Sequence, residues 1–237
     1  MKFNRAAIFV VSNVEFVAPQ FQLLRDWERL LKGLHDNIAP SYPFSAYDVT
    51  IDTRSSLADR VLRISLFRGN GIIDIYIDRL SVSFSNLIHD SDITIALDCM
   101  NLIEKSLLSY LGIELIREFN IRPTINYISS NNDMSVRDFL TNRFRPSEYF
   151  ELILKEDDCR TNIFAKFEFQ SMDNAWRVGI DLMASTLDEK TLILTCNSYY
   201  DPNSRYSDSM IRGQHLIDLL TEFLAQSRIE ITTGARF

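Results

Sequence analysis

The chain is poor in the residues that mark special chemistry. It has three cysteines in 237 residues, Cys99, Cys159 and Cys196, widely spaced and with no CxxC pair. That excludes a disulfide framework and fits free thiols in a reducing cytoplasm. Seven glycines and six prolines leave little room for flexible linkers or low-complexity tails. The three histidines, His35, His89 and His215, never stand at metal-ligand spacing. There is no P-loop, no GxGxxG, no HExxH, no GxSxG and no EF-hand loop. No cofactor, metal or catalytic residue is therefore expected. No apolar run approaches the ~18–20 residues of a membrane span. The opening MKFNRAAIFVV lacks a small-residue cleavage pattern and reads as a strand, not a signal peptide. A net charge of −7 disfavours a surface devoted to phosphate backbones.

What is present is alternation. From Arg60 to Phe84 the chain reads RVLRISLFR, GNG, IIDIYI and DRLSVSF. Ile73, Ile75 and Ile77 alternate with Asp74, Tyr76 and Asp78. Leu80, Val82 and Phe84 alternate with Ser81, Ser83 and Ser85. A period of two with one apolar side predicts a three-strand antiparallel meander with one buried and one wet face. Gly69-Asn70-Gly71 supplies the positive φ that a tight turn needs.

The rest of the chain extends the same design. A strand over Ala6 to Val17 precedes a helix from Pro19 to about His35, with its apolar stripe on Leu23, Leu24, Trp27, Leu30, Leu31 and Leu34. A short strand near Tyr47 to Thr53 leads into the meander. The group Asp90-Ser91-Asp92 caps a helix that runs to Leu111, and Gly112 ends it. Then follow a long strand (Ile113 to Ile128), a short helix (Asp133 to Asn142), and strands at Tyr149 to Lys155, Ile163 to Gln170, Trp176 to Ala184 and Leu192 to Tyr199. A helix over Ser207 to Ser227 closes the chain. The terminal IEITTGARF reads as a last short strand over Ile229 to Thr233 that pairs within the chain or, as a donor strand, with a neighbour; its loss is expected to weaken assembly more than folding.

The order strand, helix, four strands, helix therefore occurs twice. It predicts an α+β fold of two pseudo-repeats, residues 1–112 and 113–237, forming one continuous unit. Their sheets join edge to edge under long helices on one face, which removes one exposed edge per half. The face left open carries Asp74, Tyr76, Asp78 and the three serines in the first half. In the second it carries Arg177, Asp181, Thr191 and Thr195, with Trp176, Val178, Ile180 and Leu182 turned inward. That face is expected to be acidic and hydroxylated.

This order is similar to the duplicated TATA-box-binding-protein fold. There the open face is apolar and basic and lies in a DNA minor groove, so the resemblance implies topology and not that activity. The chain also resembles a sporadically distributed family of uncharacterised bacterial proteins of about this length. The shared phrases are Asp78-Arg79-Leu80-Ser81, Arg122 to Asn126-Tyr127-Ile128, Ile180-Asp181-Leu182 and a closing helix with His215 near its start. The patchy occurrence of that family implies mobile or defence-linked genes.

Three groups of residues are candidates for contact with a partner. Arg137, Arg143 and Arg145, with Phe144, form a basic and aromatic patch. Tyr199, Tyr200, Arg205 and Tyr206 form a Tyr/Arg loop of the composition common in interaction hot spots. Asp74, Tyr76 and Asp78 lie on the sheet face. The expected function is a non-catalytic binding or adaptor protein, an accessory or sensor subunit of a bacterial, defence-linked complex. One alternative is a small-molecule pocket between sheet and closing helix, lined by Phe167, Phe169, Met183, Met210 and Phe223. The other is a nucleic-acid module that uses the arginine patch.

Overall fold

The computed structural model describes residues 2–52, 56, 59–130, 134–144 and 164–231. The strands predicted from alternation pair into one wide sheet. In chain order the first seven elements are β1 (Lys2–Phe16), α1 (Gln22–Arg25), α2 (Trp27–Ile38), β2 (Val49–Asp52), β3 (Val61–Leu66), β4 (Gly71–Ile75) and β5 (Arg79–Leu87). Then come α3 (Asp90–Leu111), β6 (Ile116–Ser129), α4 (Val136–Arg143), β7 (Phe164–Gln170), β8 (Trp176–Ala184), β9 (Thr191–Tyr200), α5 (Ser209–Gln226) and β10 (Glu230–Ile231). The strands lie in the order β2-β3-β4-β5-β1-β6-β9-β8-β7, each antiparallel to its neighbours. The second half thus repeats the first as far as it is described. The strand expected at Tyr149 to Lys155 lies outside the described residues.

The halves meet along β1 and β6, from Phe3 opposite Ser129 to Phe16 opposite Ile116. Among the described residues, helices cover one face of the sheet. Against that face lie Val14, Val82, Phe119, Ile125, Ile180, Leu182 and Leu194, all nearly solvent-free, and one core runs beneath both halves. On α3 the expected stripe is buried at Ala96, Met100, Ile103, Leu107 and Leu111. Asp92 caps this helix from its first turn, its carboxylate accepting from the Ile88 and His89 amides at 3.1 and 2.8 Å.

Two expectations need correction, and a third is narrowed. The first helix is two: Asp26, at φ −113° and ψ 26°, separates α1 from α2. The β3–β4 turn sits earlier than Gly69-Asn70-Gly71. Leu66 pairs with Gly71, and the positive φ falls on Phe67 (52°), Arg68 (57°) and Gly69 (91°). Gly71 belongs to β4, where a Cβ would lie 2.9 Å from Phe67 and 3.0 Å from Phe84. Close packing, not φ, requires glycine there. Lastly, β10 pairs within the chain. It runs parallel to the start of β1, Lys2 opposite Glu230, on the edge that β5 has left by pairing only from Ile8 onward. Residues 232–237 lie outside the described part.

Candidate functional site

The open face is built by the residues that alternate with the core positions. Register places Asn13 of β1 opposite Asn120 of β6, Asn120 opposite Tyr199 of β9, and Tyr199 opposite Arg177 of β8. This row crosses the seam between the halves. Asn120 is solvent-free. Its amide donates to the Ser198 carbonyl at 2.6 Å, and its side-chain oxygen accepts from Asn13 at 3.3 Å. The Arg177 guanidinium lies 4.3 Å from the Tyr199 ring centre and reaches across β9 to Glu118 at 3.3 Å. Arg122 stands on the other side of the ring, donating to the Tyr199 hydroxyl at 3.5 Å. Burial raises the pKa of Glu118, with Arg177 opposing the shift and Glu15, directly across the strand pair, adding to it.

The face carries acids, as expected, and bases among them. By register it carries Arg63, Arg79, Arg122, Lys166 and Arg177 beside Glu15, Asp52, Asp74, Glu118, Glu168 and Asp181. The bidentate partner of Asp74 is Arg63, at 2.6 and 2.8 Å. Asp78 bonds Arg79, whose guanidinium covers the Tyr76 ring at 4.1 Å. These three sheet-face candidates are therefore held in ion-pair and cation–π contacts.

The Tyr/Arg loop is divided. Tyr199 lies on the open face, while Tyr200 and Tyr206 are buried beneath the helices. Tyr200, Tyr206, His215 and Trp176 form one aromatic box, with ring centres 4.7 Å apart for Trp176–His215, 5.0 Å for Tyr206–His215 and 5.3 Å for Tyr200–Tyr206. The Tyr200 hydroxyl meets His215 Nδ1 at 3.1 Å. Burial lowers the His215 pKa, and nearby Arg205 lowers it further. Arg205 remains exposed, bonded to the Tyr206 hydroxyl at 2.8 Å.

Of the expected arginine patch, Arg137, Arg143 and Phe144 are described. Arg143 donates to the Ser227 carbonyl at 3.1 Å and so caps the end of α5. Phe144 packs edge-on to Phe167 at 5.5 Å. Arg137 is exposed on α4, and Arg145 lies outside the described residues. Phe167 and Phe223, expected to line a ligand space, pack edge-on to each other at 4.9 Å. A gap of about 50 Å³ lies between α3 and α5, lined by Ile93, Leu97, Leu216 and Leu220 among others.

Sequence reasoning missed the polar link beneath the seam. Glu104 of α3 and Arg212 of α5 form an ion pair with side chains 3% and 0% exposed. Arg212 also donates to the carbonyls of Tyr206 and Ser207 at 2.7 and 2.8 Å and lies 3.9 Å from the Phe119 ring centre. The Ser12 hydroxyl donates to Glu104 at 3.1 Å. The signal was present: Arg212 stands at helical spacing in the stripe Leu216, Leu220, Leu224.

Cys99 and Cys196 are solvent-free, and burial pushes the Cys99 thiol up to about 12 and the Cys196 thiol higher still. Cys159 lies outside the described residues. Among the described residues no group of three or more His, Cys, Asp or Glu side chains is arranged to hold a metal, and no helix is long and apolar enough to cross a membrane. Compared with known proteins, the chain matches no protein-family model and no curated sequence.

Proposed function

We propose that this chain is a binding protein that docks a partner protein on its open sheet face, as an accessory or sensor subunit of a larger bacterial assembly. The observation that carries the reading is the row Asn13–Asn120–Tyr199–Arg177 with Arg122 beside it. It is a preorganised strip of amide, aromatic and guanidinium groups at the centre of a face that no described helix covers. Tyr and Arg are the side chains that most often carry interface energy. Here both are fixed by neighbours, so a partner meets them with little side-chain entropy left to lose. The mixed charges, with acids at least as many as bases, favour a partner of mixed polarity over a polyanion. A defence-linked role is the narrower form of the same proposal, drawn from the resemblance of the whole chain.

The test is capture of the full chain from its native host, beside the variants Tyr199→Ala and Arg122→Glu. A stoichiometric protein retained by the natural chain and lost from both variants supports the reading. A partner retained equally by all three, or displaced by nucleic acid that elutes steeply with salt, overturns it.

A further inference from the structure

At the β7–β8 end lies an open hollow of about 620 Å³, bounded by Ser171, Met172, Asp173, Trp176, Arg205 and Tyr206. This hollow is distinct from the open face. Trp176 pairs with Tyr200 on the helix side of the sheet, one residue out of phase with the row through Tyr199. Its size is that of a site for a nucleotide-sized molecule.

The walls are set by local bonds. Ser171 and Trp176 exchange backbone and hydroxyl contacts, the Ser171 amide donating to the Trp176 carbonyl at 3.1 Å and the Trp176 amide to Ser171 Oγ at 3.2 Å. The Asp201 amide donates to the Ala175 carbonyl at 3.0 Å and ties this turn to the loop that carries Arg205. Ser204 Oγ accepts from the Tyr206 amide at 3.2 Å. Behind the hollow, Trp176 and Tyr206 both lean on the His215 ring. Trp176, the partly exposed ring of the floor, is thus backed by His215.

The two rims carry opposite charges. Asp173 accepts from the Ala175 amide at 3.2 Å. The Ser171 hydroxyl and that amide hold its carboxyl below the usual range, and the Arg205 charge adds to the effect. Arg205 lies 4.9 Å from the Tyr206 ring centre with one of its five N–H groups on the Tyr206 hydroxyl. A planar ring on the floor would offer its edge to a fixed acceptor on one side and an anionic substituent to a guanidinium on the other.

We propose that this hollow binds a small molecule with a planar heteroaromatic ring, N–H donors on its edge and an anionic group, the chemistry of a purine nucleotide. The ring lies against Trp176, the ring edge donates to Asp173, and the phosphate pairs with Arg205.

The experiment uses the full chain carrying Trp27→Phe, so that Trp176 is the one tryptophan left of the two in the sequence. Its fluorescence is followed during titration with guanosine monophosphate, guanosine and inorganic phosphate. The expected result is saturable quenching by the nucleotide, with a Kd raised tenfold or more in Arg205→Ala and in Asp173→Asn. Guanosine should bind the parent chain as weakly as the nucleotide binds Arg205→Ala. Unchanged melting curves show that both variants remain folded. A titration with a single strand of about ten nucleotides separates a free nucleotide from a strand end; tighter binding of the strand overturns the free-nucleotide assignment. No saturation by about 1 mM, or equal Kd in the parent and both variants, overturns the site.

Discussion

Breaking the buried pair should cost more than deleting it. Glu104→Gln keeps the size of the side chain but removes the counter-charge of a guanidinium that is 0% exposed. Arg212→Met leaves the Glu104 carboxylate in the core with the Ser12 hydroxyl as its remaining bonded partner. An uncompensated buried charge costs about 3–5 kcal/mol, so each single variant should lose at least about 3 kcal/mol. In the double variant no charge remains. What is lost is the donor to the Tyr206 and Ser207 carbonyls, about 1 kcal/mol each, and part of the stacking on Phe119. The double variant should lose about 2–3 kcal/mol, where additivity predicts about 6, a coupling of about 3 kcal/mol.

Urea denaturation followed by circular dichroism reads these values directly. In thermal melts each single variant should fall by roughly 6–12 °C, since about 1 kcal/mol moves a domain of this size by about 2–4 °C. A double variant that loses the sum of the two singles would refute the pairing. Single variants that lose under about 1 kcal/mol would show that water reaches the site.

Other positions make independent claims. Removing Ile229–Phe237 takes away β10 and the buried Ile229, so stability should drop by at least about 2 kcal/mol while mass by light scattering stays that of the parent; a change of assembly with unchanged stability would contradict the pairing seen here. Gly71→Ala should cost about 1–3 kcal/mol through overpacking against Phe67 and Phe84, and Gly69→Ala about 1 kcal/mol through its φ of 91°; the reverse ranking in urea melts would place the turn wrongly. In a Cys159→Ser variant, native protein should give almost no thiol colour with a disulfide reagent at pH 8, and unfolded protein two thiols, because Cys99 and Cys196 are buried. Asp92→Ala should cost about 1 kcal/mol at pH 7. The folded Asp92 carboxyl titrates below its ordinary value, so this loss is full above about pH 4 and shrinks as pH falls through the lower folded value; a loss that grows on acidification would reverse the sign.

Much of the fold was legible because strands announce themselves by period two. Val178, Ile180 and Leu182 point inward as their alternation requires, and the core stripe of α3 follows from its 3.6-residue spacing. The turn at residues 67–70 was placed late because glycine signals permission, not need. Gly71 permits positive φ, but its neighbours Phe67 and Phe84 use it for close approach. Arg143 was expected in a partner-binding patch, and its role as a C-cap was illegible because a bond to a distant helix leaves no local trace; it spans 84 residues. The pairing of β10 was illegible for a simpler reason: two residues are too few to show a period.

The Tyr/Arg loop shows why a composition argument alone misplaces a site. Tyr199 and Tyr200 are adjacent in sequence, and β9 sends them to opposite faces. Tyr199 sits opposite Arg177 on the open face, while Tyr200 sits opposite Trp176 beneath the helices and touches His215. A cluster that reads as one surface is in fact two, separated by the thickness of a strand. The perturbations should separate in the same way. Tyr199→Ala removes the ring beneath Arg177 but no contact of the aromatic box, so it should change partner capture and leave Trp176 fluorescence at its parent intensity. Tyr200→Phe removes only the hydroxyl that meets His215, so it should alter the Trp176 signal and leave capture intact. If either variant moved both readouts alike, β9 would be transmitting a shared distortion, and the two surfaces would have to be treated as one.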